Sequence, residues 1–189
     1  MNERMRYVHY DALAEAKACA VALPFEEGTR LIDACENLFV EAIGELDELE
    51  LCILLVEGRR QAYTVPAIPS LPEMGEGHPV IPDELSRRIF VRFPQQKIVS
   101  YTVLNESYGE YPKPPEEFIG RLFRTFSKSH LLDYTHATCN GTLEFESFVA
   151  HYEIACLNHV IDVVALAQPE ISLVRGDNHG VIPSPVHIQ

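Results

Sequence analysis

The stretch that decides the predicted fold runs from Leu51 to Val65. It begins with the apolar run Leu51-Cys-Ile-Leu-Leu-Val-Glu57, passes through Gly58-Arg59, and ends in the alternating run Arg60-Gln-Ala-Tyr-Thr-Val65. An apolar run, a glycine turn and an alternating run together predict a β-hairpin. Because the first strand is apolar on both faces, we expect it to lie in the centre of a sheet.

Two more strands are predicted nearby, at Arg87–Phe93 and Lys97–Leu104, joined by a short turn. Apolar residues at helical spacing predict two helices before the strands and two after them, at Asp11–Leu23, Thr29–Glu48, Pro115–Leu132 and Leu143–Ala167. Helices before and after a run of strands are typical of α+β proteins. We therefore predict a mainly antiparallel sheet of about four strands, packed by two N-terminal and two C-terminal helices.

The chain of 189 residues is predicted to form one α+β domain spanning residues 1–189. Its apolar content of 47% is sufficient for a buried core. Closely spaced prolines and glycines predict a long loop at about 66–82 and an extended C-terminal tail at about 171–189.

Several classes of protein are disfavoured by the sequence. Apolar runs stay far below the roughly 18 residues of a membrane span, so we expect no membrane association. The N-terminus has no apolar segment of the kind found in signal peptides. The five cysteines include no CxxC pair, which is typical of a reducing compartment. We therefore expect a cytoplasmic location.

The net charge of the chain indicates which kinds of partner it attracts. Fifteen lysines and arginines stand against 28 acidic residues, for a net charge of −13. Such a surface repels the phosphate backbone, so direct nucleic-acid binding is disfavoured, whereas a basic protein or peptide is attracted. Residues 87–128 are locally basic, with eight bases against four acids. This asymmetry also allows self-association into a homo-oligomer.

An acidic ridge is predicted on the outer face of the second helix, formed by Asp33, Glu36, Glu41, Glu45 and Glu48. Like charges three or four residues apart on a helix cost roughly 0.2–0.5 kcal/mol per pair. An uncompensated ridge therefore indicates a docking surface for a basic partner. The alternative is a solvated face that only keeps the protein soluble.

A second set of residues carries the chemistry of metal ligands. His130, Asp133 and His136 recur at intervals of three, and His159 follows on the last predicted helix, near His151 and Asp162. If the two C-terminal helices pack together, these side chains converge as in helical metal sites, and zinc or iron would suit them. The simpler alternative is a histidine at a helix C-terminus together with a core histidine.

The sequence contains no GxSxG, Walker or GxGxxG motif. We therefore expect a non-enzymatic binding module that recognises a basic protein partner, of the inhibitor, immunity, mimic or adaptor type. Two alternatives stay open. One is a small metal-dependent hydrolase that uses the His/Asp cluster, and the other is a structural subunit of a larger assembly.

Overall fold

The computed structural model describes residues 3–46, 50–66, 76–83, 85–109, 111–139, 143 and 146–175, without the side chains of residues 3–9 and 95. This part contains three α-helices: α1 (Glu3–Cys19), α2 (Phe25–Asp33) and α3 (His130–Thr138). Its strands are β1 (Ala20–Leu23), β2 (Asn37–Leu46), β3 (Glu50–Arg60), β4 (Val80–Ile81), β5 (Arg88–Phe93), β6 (Ile98–Asn105), β7 (Glu117–Ile119), β8 (Phe123–Lys128), β9 (Ala150–Ala155), β10 (His159–Ala165) and β11 (Glu170–Val174).

The strands form two antiparallel sheets. Sheet 1 has the order β1-β11-β5-β3-β2, with β4 paired to the end of β3, and sheet 2 has the order β6-β10-β9-β8-β7. Consecutive strands β5 and β6 belong to different sheets, so the chain crosses between the layers there and returns after β10. The result is a sandwich in which each sheet contains strands from distant parts of the sequence.

The main core lies between the two sheets. Ile53 and Val91 of sheet 1 pack in one cluster with Tyr152 and Ile161 of sheet 2, and Ile32 of α2 closes one end. The opposite face of sheet 1 is covered by α1, whose Leu13 and Ala16 pack against β2, β3 and β5. Helix α3 packs against β9 and β10. Both faces of β3 are therefore buried.

The predicted α+β architecture is wrong. The described part holds eleven strands in two sheets and three helices, instead of about four strands with two N-terminal and two C-terminal helices. The predicted hairpin is also wrong, because β3 runs unbroken through Gly58. A side chain at Gly58 would lie 2.5 Å from the Phe39 ring, so this glycine serves close packing instead of a turn. The central position of this strand and the strands at β5 and β6 agree with the prediction.

The second predicted helix, Thr29–Glu48, divides into the end of α2 and the strand β2. The pairing of β2 with β3 shifts between Val40 and Ala42, and this bulge changes which residues face the core. Before it, Leu38 and Val40 face the other sheet, whereas after it Ile43 does so and Ala42 faces α1. The strand β2 has apolar residues on both faces, and the bulge changes which positions face the core. Its apolar residues therefore recur at intervals of three and four, as they do in a helix.

The two predicted C-terminal helices are wrong for a similar reason. Residues 115–132 form β7, β8 and the start of α3, and residues 143–167 contain β9 and β10. The turn between β9 and β10 carries Asn158 in place of glycine or proline. The Asn158 side chain bonds the backbone of Val40, accepting from its N–H at 2.9 Å and donating to its carbonyl at 3.0 Å. A tertiary contact therefore stabilises a turn that lacks a local signal.

The predicted loop at 66–82 lies partly outside the described residues, and its end forms β4. The predicted tail begins inside β11, which is inserted between β1 and β5, and residues 176–189 lie outside the description. None of the helices in the described residues is long and apolar enough to cross a membrane.

Candidate functional site

A row of polar side chains crosses the outer face of sheet 2, the face turned away from sheet 1. In β9 the residues alternate, so that Tyr152 and Ile154 enter the core while Glu153 faces outwards. The pairing register places Arg124, Glu153, Asp162 and Thr102 side by side on four neighbouring strands. Three of these four side chains can carry a charge, which is unusual for the middle of a sheet.

Arg124 and Glu153 form a buried ion pair in this row. Their side chains are 10% and 8% exposed, and the guanidinium Nη1 donates to Glu153 Oε1. The guanidinium also lies against the rings of Tyr111 and Phe118, at 4.5 and 5.4 Å from their centres. Burial raises the pKa of Glu153, and the charge of Arg124 opposes that shift. The pair therefore places two ionisable groups where little solvent reaches them.

His151 connects the row to the start of α3. Its Nδ1 lies 2.9 Å from Ser129 Oγ, and its Nε2 lies 2.9 Å from Asp162 Oδ1. The imidazole stacks on the Phe126 ring at 4.3 Å. Asp162 also accepts a hydrogen bond from Thr102. Because Nδ1 and Nε2 are both engaged, the imidazole has one fixed orientation.

The three hydrogen-bonded residues Ser129, His151 and Asp162 are of the types found in a hydrolytic triad. The Ser129 side chain, however, caps helix α3 by accepting a hydrogen bond from the Leu132 N–H at 3.1 Å. Ser129 is 1% exposed and does not line the neighbouring cavity. A nucleophile must reach its substrate, and the buried Ser129 hydroxyl does not. We therefore interpret these contacts as structural: they hold the start of α3 against sheet 2.

A cavity of about 530 Å³ lies above this row, between sheet 2, α3 and the segment 111–116. We call it the polar cleft. It is lined by Thr102, Tyr111, Pro112, Lys113, Pro114, Glu116, Phe126, His130, Leu131, His151, Glu153 and Asp162. Three carboxyl groups meet aromatic rings here. Convergent polar groups with a perturbed pKa in a cavity are characteristic of a binding site.

The predicted metal ligands lie in different surroundings. His130 begins α3 and lines the polar cleft, whereas Asp133 and His136 are exposed on the same helix. His159 begins β10, and its Nδ1 is buried without a hydrogen-bond partner among the described residues. Within the described part of the chain, no three His, Cys, Asp or Glu side chains are grouped so that they could hold a metal ion.

The predicted acidic ridge is not one helix face, because its members lie on different elements. Asp33 ends α2, and its carboxylate accepts hydrogen bonds from the backbone N–H groups of Arg121, Leu122 and Phe123. Glu36 follows α2 and lies 3.9 Å from an exposed Arg60 guanidinium.

Glu41 and Glu45, the next two ridge residues, lie on β2. The carboxylate of Glu41 accepts a hydrogen bond from Arg88 at 2.8 Å, and that of Glu45 accepts one from the Tyr101 hydroxyl at 3.1 Å. Glu48 lies outside the described residues. The four described members therefore contact other parts of the same chain, and their role towards a partner stays a prediction.

Arg124, Ser129 and Glu153 were not among the predicted site residues. The signal that could have indicated Glu153 is the alternation of polar and apolar residues in His151-Tyr-Glu-Ile154. Such alternation is typical of a strand with one polar face. Apolar residues at helical spacing in the same stretch obscured it.

Comparison of the chain with protein-family models, with curated proteins and with solved structures gave no match.

Proposed function

We propose that the protein is a non-enzymatic binding module that recognises a basic protein or peptide, and that an arginine or lysine side chain of the partner enters the polar cleft. The observation that carries this proposal is the convergence of the carboxyl groups of Glu116, Glu153 and Asp162 on one cavity. The net charge of −13 supports it, because an acidic surface attracts basic partners over longer distances.

The walls of the polar cleft suit a guanidinium or ammonium group. Asp162 has a side chain that is 21% exposed, so its carboxylate is within reach of a partner. Glu153 lies deeper and is held by Arg124. The exposed ring of Tyr111 adds aromatic surface, which attracts cations through its electron-rich face. A planar guanidinium could donate to the carboxylate and pack against a ring at once.

Such a module would be of the inhibitor, immunity, mimic or adaptor type. The cytoplasmic location and the homo-oligomer remain predictions from the sequence. So do the alternatives of a metal-dependent hydrolase and of a structural subunit. Compared with either alternative, the polar cleft offers the more specific set of contacts among the described residues.

The test uses two peptides that differ in charge but hardly in shape, acetyl-Gly-Arg-Gly-amide and the same peptide with neutral citrulline in place of arginine. Each is titrated into the isotope-labelled protein and followed through the amide resonances. We expect only the arginine peptide to shift the resonances of β9, β10 and the first turn of α3. The proposal fails if both peptides bind equally, or if the shifts map to another surface.

Asp162→Asn is the matching variant, because asparagine keeps an oxygen that can accept from His151. We expect it to weaken binding of the arginine peptide at least about tenfold, equivalent to about 1.4 kcal/mol. Glu26→Gln, which removes an exposed carboxylate on α2, is the control and should leave the affinity unchanged. Equal losses in the two variants would indicate only a general charge effect.

A further inference from the structure

A second hollow, of about 280 Å³, adjoins the polar cleft on the outer face of sheet 2. Most of its lining surface is apolar and comes from residues such as Leu38, Leu122, Ala155, Leu157 and Val160, although Asn37, Glu106, Arg124 and Glu153 also line it. Leu157, in that turn, is 43% exposed, so apolar surface faces the solvent here. We call this cavity the apolar hollow. Apart from Tyr111 and Glu153, its lining residues were not assigned above to the binding of a basic side chain.

Tyr111 and Glu153 line both cavities, so they form a shared wall. Tyr111 is 66% exposed and is held against the sheet by Arg124 and by the Phe118 ring, 6.0 Å away. Glu153 forms part of the floor on both sides. The two cavities are therefore compartments of one depression, divided by a tyrosine ring.

The spacing of the two compartments follows the strands beneath them. In β9, His151 lines the polar cleft, Ala155 lines the apolar hollow, and Glu153 between them lines both. In β10, Asp162 lines the polar cleft and Val160 the apolar hollow. Residues two apart in a strand are separated by roughly 6.6 Å and face the same side. An extended peptide laid along these strands has the same spacing.

We infer that the polar cleft and the apolar hollow together bind one extended segment of the basic partner, with an arginine or lysine in the cleft and an apolar side chain two residues away in the hollow. This inference rests on the proposed function and names the partner's motif. The compartments differ in polarity: the carboxyl groups of Glu116, Glu153 and Asp162 line the cleft together with Lys113. Most of the lining surface of the hollow is apolar and suits a leucine-sized group. Tyr111 packs against the peptide backbone between the two side chains.

The experiment compares three pentapeptides by the same amide titration: acetyl-Gly-Arg-Gly-Leu-Gly-amide, its Leu-to-Ser analogue, and acetyl-Gly-Arg-Leu-Gly-Gly-amide with a spacing of one. We expect the first to bind about tenfold more tightly than the other two and to shift the amides of Ala155 and Leu157. Ala155→Leu, which fills part of the apolar hollow, should remove this advantage and leave the affinity for the Ser peptide unchanged.

Equal affinities of the Leu and Ser peptides, with arginine still preferred over citrulline, would overturn the two-compartment motif and leave the proposed function intact. Loss of the preference for arginine over citrulline would overturn the proposed function itself. Concentration-dependent shifts at Ala155 and Leu157 without peptide would make a second copy of the chain the occupant and would also overturn the inference.

Discussion

Arg121 donates three hydrogen bonds to Asp33: its backbone N–H to Asp33 Oδ2 at 3.0 Å, and its guanidinium to the Asp33 carbonyl at 2.8 Å from Nη2 and 3.1 Å from Nε. The other carboxylate oxygen of Asp33 accepts from the N–H groups of Leu122 and Phe123. The end of α2 is thereby fixed to the turn between β7 and β8.

Replacement of Asp33 by asparagine should therefore destabilise the fold. The asparagine amide presents N–H groups where backbone donors converge, so at least one of those donors loses its acceptor. We expect a loss of about 2–4 kcal/mol in the free energy of unfolding, measured by denaturant titration. Glu26→Gln is the control, with an expected change below about 0.5 kcal/mol. Similar stabilities of the two variants would contradict the structural role of Asp33.

Gly28 allows α2 to approach β11 closely. A Cβ atom at this position would lie 2.6 Å from the Cβ of Ile171. Gly28→Ala should therefore lower the free energy of unfolding by about 1–3 kcal/mol through overpacking, although alanine favours helices.

Gly77→Ala is the matched control, because among the described residues no atom beyond its chain neighbours lies within 4 Å of the added Cβ. Thermal unfolding of both variants measures the difference. A Gly28→Ala variant as stable as Gly77→Ala would show that α2 does not pack closely on β11.

The cysteines should divide into two classes of reactivity. Burial raises the pKa of Cys35 and Cys52 to about 11 and that of Cys156 to about 12. Cys19 is exposed and Cys139 is partly exposed. Because the thiolate is the reactive form, we expect two thiols to react quickly with iodoacetamide at pH 8 and the other three only after unfolding.

Mass spectrometry of the digested protein identifies the modified residues, and labelling in denaturant gives the total of five. Modification of Cys156 as fast as that of Cys139 in the native protein would contradict the packing of sheet 2.

Glu57 should make stability depend on pH. Arg87 donates to both of its carboxylate oxygens, at 2.7 and 2.9 Å, and these hydrogen bonds lower the pKa of Glu57. A carboxyl group with a lowered pKa in the folded state stabilises the fold above its unfolded pKa, and this contribution is lost as the pH falls through the folded pKa. Glu57→Gln should therefore cost about 2 kcal/mol at pH 7 and progressively less below about pH 4.

Denaturant titrations of both proteins between pH 7 and pH 3 measure this difference. Glu170→Gln serves for comparison, because its carboxylate pairs with Arg92 at the surface, is 52% exposed, and should contribute less than about 1 kcal/mol. A cost of Glu57→Gln that stays constant down to pH 3 would rule out the Arg87 pair as the source.

The strands β5 and β6 and the central position of β3 could be predicted from local patterns. The turn Pro94-Gln-Gln96 separates β5 from β6, and the apolar run of β3 indicates burial on both faces. The strand β2 could not. Its bulge between Val40 and Ala42 depends on pairing with β3, and α1 covers the face that a solvated strand would leave polar. A local sequence pattern does not indicate which element, if any, covers the second face of a strand.

The candidate site was predictable only in part. His130 and Asp162 carry ligand chemistry that the sequence shows, but the prediction placed both on C-terminal helices packed together, whereas Asp162 lies on β10. The pair Arg124–Glu153 depends on the register between β8 and β9, and the contact of His151 with Ser129 depends on where α3 begins. Both relationships join residues more than 20 positions apart, so neither leaves a local pattern.

The position of β11 has a consequence for synthesis on the ribosome. Among the described strands, β1 bonds only to β11, and β11 also supplies the outer neighbour of β5. The first described strand to be translated, β1, can therefore pair only after the last one, β11, has been made. Until then β5 presents an unpaired edge, which is the kind of surface that aggregates or recruits chaperones. The nascent chain completes sheet 1 only after nearly all of the described protein has been made.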